Sequence, residues 1–400
     1  MRRAAPSPAA PSPAGPRAAG TGRTAPDGRI EAVDVLRGLA LLGILLVNAR
    51  SLSGTELFPA VGTVDYAAAV LTGLTAEMKF YPLLAFLFGV STVLALRLPA
   101  SGRRSANARY LRRLGALFLL GAAHFTLLYG GDILTTYAVL GLVAYAVRNR
   151  SARVLRGLGL GLLTLFTLFL TASALWIAHV VGPTAHPVSP TRAEIARYSG
   201  GPAETLAAKA ALLPGYLEGS VLFAPHVLAF ILLGMAAGKA GLFERERTPA
   251  RLRRLAVAGL AVGVPGSAVM TVCFYGPVGW EWMYLGRAIG AVTGPALTCA
   301  YVCLTLLVTD AGRHRRAIAL LAAAGRTTLT HYLGQSLVLC LVFTGYGLGL
   351  YGSVGGAGLI ACCVALFVAQ VLVTDKYLRG GRGPAEAFVR VLAGRRATSG

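Results

Sequence analysis

Apolar residues run in blocks of about twenty, parted by short polar interruptions, along nearly the whole chain. A helix rises about 1.5 Å per residue, so some 20 such residues cross the roughly 30 Å of bilayer hydrocarbon. Ten blocks meet or approach that length, at approximately residues 33–49, 79–97, 112–129, 132–147, 155–181, 220–240, 253–275, 284–309, 317–344 and 353–375; the fourth only just reaches. They predict an all-α, polytopic transmembrane helix bundle. Two more stretches read as amphipathic helices on the outer surface: 60–77, apolar but carrying Asp65 and Glu77, and Arg192 to Leu213. Glycines four apart, at Gly286, Gly290 and Gly294 and at Gly234 and Gly238, predict close helix contacts.

Composition agrees with a lipid-facing surface. Of 400 residues, 55% are hydrophobic and only 14% charged, where a water-facing domain keeps about a quarter charged. The net charge of +22 does not mark a nucleic-acid partner, because the arginines form short clusters between apolar blocks and not one soluble basic face. Those clusters fall before the first span, in every second loop and after the last span. The loops between hold only Arg50, Lys79, Arg192, Arg197 and Lys209. Positive charge stays on the cytoplasmic side, so both termini are expected there, with the chain multi-pass in the cell membrane. Residues 1–28 read as a disordered basic tail, 29–378 as the membrane domain and 379–400 as a cytoplasmic tail. None of the six cysteines sits in a metal-ligand spacing, and no metal is expected.

Ionisable groups inside a bilayer cost several kcal/mol, about 2.5–3.5 at the centre on insertion scales, which makes those that persist candidates for function. His124 in the third span is a candidate general base, against a structural imidazole bonded to a carbonyl. Asp132 follows the Gly130-Gly131 turn and reads equally as an N-cap for the next helix. Asp34 and Arg37 are three apart on one face of the first span and can pair. Asn48, Arg50, Lys79, His124, Asp132 and His226 share one level near the outer face, with Arg287 close to it. The ninth span is unusually polar: Arg326, Thr330, His331 and Gln335, beside Tyr332, must face the bundle interior or a wet cavity.

These residues resemble the YeiB-like family of bacterial inner-membrane proteins of unknown function. The resemblance runs in order through Asp34-Val35-Leu36-Arg37-Gly38 to Val47-Asn48, Lys79-Phe80-Tyr81 to Phe88-Gly89, and His124 with Gly131-Asp132-Ile133-Leu134. It continues through Gly325-Arg326, Leu329-Thr330, Tyr332, Gln335-Ser336 and Gly383-Pro384. The opening block is also similar to the first helix of membrane acyltransferases that use cytoplasmic acyl-CoA, in which a catalytic His follows an Arg by eleven residues. Here that count from Arg37 lands on Asn48, and an amide cannot act as a base. The resemblance implies an acyltransferase whose base comes from elsewhere, His124 first and His331 second. Asn48 and Asp132 would support the site, and Arg37, Asp34, Lys79, Arg287, Arg326, Tyr332 and Gln335 would bind substrate. Acyl-CoA would be the co-substrate and an extracytoplasmic hydroxyl or amine the acceptor. Two rivals stand beside it: a transporter for a small or lipid-like solute, disfavoured by the lack of a clear internal repeat, and a non-catalytic membrane subunit.

Overall fold

The computed structural model describes residues 31–55, 62–97, 103–180, 182, 191–244, 248–312, 314–377 and 383–394. The tail expected at 1–28 lies outside them. The described residues are mostly helical: α1 Glu31–Ser53, α2 Thr63–Thr75, α3 Phe80–Arg97, α4 Arg103–Leu127, α5 Leu134–Ala146, α6 Ala152–Val180, α7 Arg192–Ser199, α8 Pro202–Lys239, α9 Pro249–Tyr275, a 3-10 turn Trp280–Trp282 leading into α10 Met283–Asp310, α11 Arg315–Arg326, α12 Thr328–Phe343, α13 Gly356–Tyr377 and α14 Pro384–Leu392. Among the described residues, seven helical runs are long and apolar enough to cross a bilayer: Glu31–Ser53, Thr63–Arg97, Ala152–Val180, Pro202–Lys239, Pro249–Tyr275, Trp280–Asp310 and Gly356–Tyr377. The remaining expected spans coincide with α4, whose first turns are arginine-rich, and with the shorter apolar helices α5 and α12. Large apolar side chains cover the outside, among them Leu165 (65% exposed), Trp176 (64%) and Val257 (65%). Exposure of that kind around a whole perimeter is what hydrocarbon solvates and water does not. The protein is a multi-pass, all-α membrane bundle.

α1 and α3 form the centre, where Leu36, Leu41, Leu45, Leu83 and Leu87 are almost wholly buried. Glycines set the spacing around them. A Cβ on Gly234 of α8 would overlap the Phe86 carbonyl of α3, and one on Gly294 of α10 would press on the Met78 carbonyl. These are the close approaches that the glycine spacing predicted.

Two sequence expectations need correction. The ninth span is not one helix over 317–344, because the chain breaks at Thr327 (φ −113°, ψ 31°) into α11 and α12. Ile318, Leu321, Ala322 and Gly325 recur at i, i+3, i+4 and i+7, so α11 is amphipathic. Val35, Ile318 and Ala322 pack into one small cluster where α11 crosses α1. The 16-residue α12 alone continues, for about 24 Å. The surface helix expected over 192–213 is also divided. Thr191 and Glu194 form a capping box on α7, Gly200-Gly201 ends it, and Pro202 opens an α8 that runs unbroken for 38 residues. At about 57 Å, α8 is longer than the hydrocarbon is thick. By contrast α2 does lie as an amphipathic helix within 60–77, burying Ala68, Thr72 and Gly73 and exposing Val64 and Leu71. Its Asp65 accepts the Ala357 N–H at 3.0 Å in the first turn of α13, which accounts for a carboxylate in an apolar stretch.

Candidate functional site

One cavity of about 550 Å³ opens among α1, α3, α4, α5, α11, α12 and α14. Among the described residues, Arg37, Arg109, Arg113, Arg326 and Arg390 line it, against a single acid, Glu386. Its deeper wall is apolar and aromatic, with Leu84, Leu117, Ile133, Leu134, Tyr137 and Tyr332. Along α4 the lining runs from Ala106 to Leu117, a depth of about 16 Å at helical rise. The volume falls in the range of small-molecule sites, about 300–1,000 Å³. Five guanidiniums beside apolar and aromatic side chains suit a ligand with an anionic head and an apolar remainder.

The arginines reach the cavity from separate elements. Arg37 is held on α1 by Asp34, its Nη1 donating to Oδ1 at 3.1 Å, and by a second bond to Ser91 of α3. Arg109 and Arg113 stand one turn apart on α4 and so share a face; Arg113 lies over the Phe88 ring at 6.0 Å. Arg326 ends α11 at the break before α12, where Gly325 lets the chain touch α1.

Beyond the far end sits a buried acid–imidazole pair. His124 is 3% exposed and Asp132 3%. His124 Nδ1 lies 2.9 Å from Asp132 Oδ1, and Asp132 Oδ2 accepts the Thr135 N–H at 2.7 Å. Asp132 is therefore both a cap for α5 and the partner of His124. In the tautomer that donates from Nδ1 to Asp132, the imidazole turns its Nε2 lone pair away from the pair. That Nε2 is buried and has no hydrogen-bond partner. A polar atom left bare in this way asks for a ligand or a role. The Tyr332 ring stands 4.9 Å from the imidazole, between it and the cavity, and its hydroxyl accepts the Ile133 N–H at 3.4 Å. Gly121 makes the arrangement fit, since any Cβ there would press on Thr135 and Asp132.

The other sequence candidates lie apart from this site. His331 Nε2 is 2.7 Å from Thr374 Oγ1, and Gln335 donates to Gln370 at 3.1 Å, so both face α13 inside the bundle. Lys79 is wholly buried and donates to the Gly73 carbonyl at 2.7 Å. Arg287 lies over Phe223 and Phe274. Asn48 is half-buried on α1, eleven residues or about 16 Å from Arg37, and does not line the cavity. The expected belt resolves into separate groups: Arg50 with Glu77 and Tyr275, Tyr81 with His226 (2.9 Å), and His124 with Asp132. Sequence reasoning missed Arg109, Arg113, Tyr137, Glu386 and Arg390. The two α4 arginines carry a readable signal in their four-residue spacing at the head of a helix, which the basic cluster around them obscures.

The sequence matches a family of unknown function and several uncharacterized proteins. The family model described as "Protein of unknown function (DUF418)" matches residues 237–396, which include Arg326, Tyr332, Glu386 and Arg390. The chain is 30% identical over 394 residues to the uncharacterized protein YxaH of Bacillus subtilis (strain 168), covering 91% of this chain and 94% of that one. It is 28% identical over 385 residues to an uncharacterized 39.9 kDa protein in the amylase 3′ region of Bacillus acidopullulyticus, covering 92% and 94%. Against the uncharacterized protein YeiB of Escherichia coli (strain K12) identity is 26% over 390 residues, covering 90% and 95%.

Proposed function

We propose that this chain, which belongs to the YeiB-like family of bacterial membrane proteins of unknown function, is a membrane-embedded acyltransferase. The observation that carries the reading is the unpartnered His124 Nε2 of a buried His–Asp pair, set behind Tyr332 at the end of an arginine-lined cavity. The donor is an acyl-CoA, whose phosphates meet Arg37, Arg109, Arg113 and Arg326 while its acyl arm runs toward the apolar wall. The acceptor is a hydroxyl or amine arriving from the opposite side. Tyr332 must turn aside for the two to meet at His124. His124 Nε2 takes the proton from the acceptor as its oxygen or nitrogen attacks the thioester carbonyl. Asp132 stabilises the imidazolium that forms. When the C–S bond breaks, the same proton passes from Nε2 to the departing thiolate, which leaves as CoA. His124 ends as it began.

The charge pattern orients the reaction. On the distribution of Lys and Arg, the arginine-rich end of the bundle faces the cytoplasm; this reading keeps the ten spans in the cytoplasmic membrane, with both termini inside, that the sequence suggests. A donor made in the cytoplasm then reaches the arginines directly. One observation favours the transport reading as well: the helix break at Thr327 beside the cavity, of the kind that lines solute paths.

Binding separates these readings. Purified protein should bind CoA and acetyl-CoA saturably, and Arg326→Ala should weaken both about tenfold, the effect of losing roughly 1.4 kcal/mol of charge-assisted hydrogen bonding. Absence of saturable binding at millimolar CoA would sink the acyltransferase reading and direct attention to solute flux in proteoliposomes. The second candidate base gives an internal control. His331→Ala should cost about 1–3 kcal/mol of stability, because it strands Thr374 in the α12–α13 contact, and should leave turnover per folded molecule unchanged. A His331→Ala protein that folds and binds CoA but does not turn over would move the base from His124 to His331.

A further inference from the structure

The C-terminal helix α14 closes one wall of the arginine cavity. Its Glu386, Val389, Arg390 and Ala393 recur at i, i+3, i+4 and i+7 and therefore share a face, and all four line the cavity. A second stripe, Phe388, Val391 and Leu392, is exposed, which suits a helix lying in the plane of a membrane surface. The hydrogen bonds that tie α14 to the bundle gather at its first turn, and Val389 packs into the core beyond them. The Glu386 carboxylate accepts the N–H groups of Leu329 (2.7 Å) and Thr330 (3.1 Å) and the Thr330 hydroxyl (2.5 Å). The Thr330 hydroxyl oxygen in turn accepts the Ala385 N–H at 3.1 Å. Glu386 thus satisfies the otherwise open donors at the start of α12, where the helix dipole favours negative charge.

Arg390, one turn further on, is placed differently. Its Nε is buried and has no hydrogen-bond partner, and the cavity it lines holds four other guanidiniums. With the cavity empty, like charge pushes Arg390 and the helix that carries it outward. A polyanion in the cavity turns that repulsion into attraction and gives the Nε an acceptor. Anything that binds the seated form better than the unseated one shifts the helix toward its seat by the same free energy.

We propose that α14 is a lid whose seating is coupled to a phosphate-bearing ligand, with Glu386 as its latch and Arg390 as the binding residue it delivers. The lid takes the identity of the ligand, acyl-CoA, from the functional reading above; its mechanics need only the phosphate groups. The exposed Phe388, Val391 and Leu392 keep the unlatched helix at the membrane surface, close to the cavity it leaves.

Hydrogen exchange of the α14 amides in the full-length protein tests this, without ligand, with CoA and with pyrophosphate. CoA should slow exchange across residues 384–393 about tenfold or more, as expected for a ligand that favours the seated form by one decade. Glu386→Gln should speed exchange in the absence of ligand, with CoA restoring part of the protection. Without ligand, Arg390→Ala should exchange more slowly than the wild type, because it removes the like charge that pushes the helix outward. It should lose the slowing by CoA and bind CoA about tenfold more weakly. Slowing by pyrophosphate but not by CoA would keep the lid and overturn acyl-CoA as the donor. Unchanged α14 exchange with both ligands overturns the lid, and so does an Arg390→Ala protein that responds to CoA as the wild type does.

Discussion

Replacing His124 with Ala should leave CoA affinity unchanged and lower acyl transfer by about 10²–10⁴-fold, the usual contribution of a positioned general base. The separation follows from geometry. His124 does not line the arginine cavity, and Tyr332 stands between them, so the donor's phosphates and the imidazole occupy different regions. Asp132→Asn should act in the same direction, since an amide facing Nδ1 offers the imidazole a donor where it needs an acceptor and undoes the tautomer that points a lone pair outward. Asn at 132 retains an oxygen to cap Thr135, so its folded fraction should stay closer to the wild type than that of Asp132→Ala. Transfer measured by release of CoA thiol, beside equilibrium binding on the same preparations, reads both quantities. If His124→Ala loses binding and transfer together, His124 is part of the donor site or of the fold and is not the base. If transfer survives at the wild-type rate, the dyad is structural.

Gly325→Leu should abolish the folded state or lower its stability by at least about 3 kcal/mol, the upper part of the range for overpacking a tight contact. Here two backbones touch. A Cβ on Gly325 would overlap the Asp34 carbonyl, and one on Gly38 would overlap the Leu321 carbonyl, so neither side has a flexible side chain to yield. Any side chain at 325 must drive α11 off α1 and carry Arg326 away from Arg37. The matched control is Gly161→Ala on α6, where an added Cβ meets open space on an exposed face. Helix interiors favour Ala over Gly by about 0.5–1 kcal/mol, so this variant should be unchanged or slightly more stable. Unfolding in mixed detergent and SDS compares the three proteins. A Gly325→Leu protein with the wild-type midpoint would mean that α11 does not seat on α1 as described.

The membrane bundle was legible in the sequence because its cause is local and repeated. Blocks of apolar residues about as long as a bilayer is thick have few other uses, and arginines between them cannot enter hydrocarbon cheaply. The same locality made the α4–α5 turn readable at Gly130-Gly131-Asp132, along with the amphipathic α2 and the glycines of α8 and α10. Where two local signals competed, the apolar average hid the finer one. The stripe at Ile318, Leu321, Ala322 and Gly325 belonged to a separate short helix, but the apolar run from 317 to 344 masked the break at Thr327. Between α7 and α8, the glycine pair before Pro202 ended one helix, and α8 absorbed the rest of the expected surface helix.

By itself, then, the sequence determined that this is an all-α membrane protein, that His124, Asp132, Arg37, Arg326 and Tyr332 deserved scrutiny, and that the chain resembles the family to which it belongs. Only the tertiary structure decided which of the buried polar groups act together. His124 and Asp132 meet because the two-glycine turn folds α5 back beside α4, and Gly121 leaves room for the pair. His331 and Gln335, equally prominent in the sequence, turn toward Thr374 and Gln370 on α13 instead. The arginine cavity gathers side chains from positions 37 to 393, and its lid comes from residues that read as a tail. The physical reason is the range of the forces involved. Lipid solvation acts on each segment separately and writes itself into composition, whereas a hydrogen bond or a shared cavity depends on which helices lie side by side, and no run of twenty residues records that.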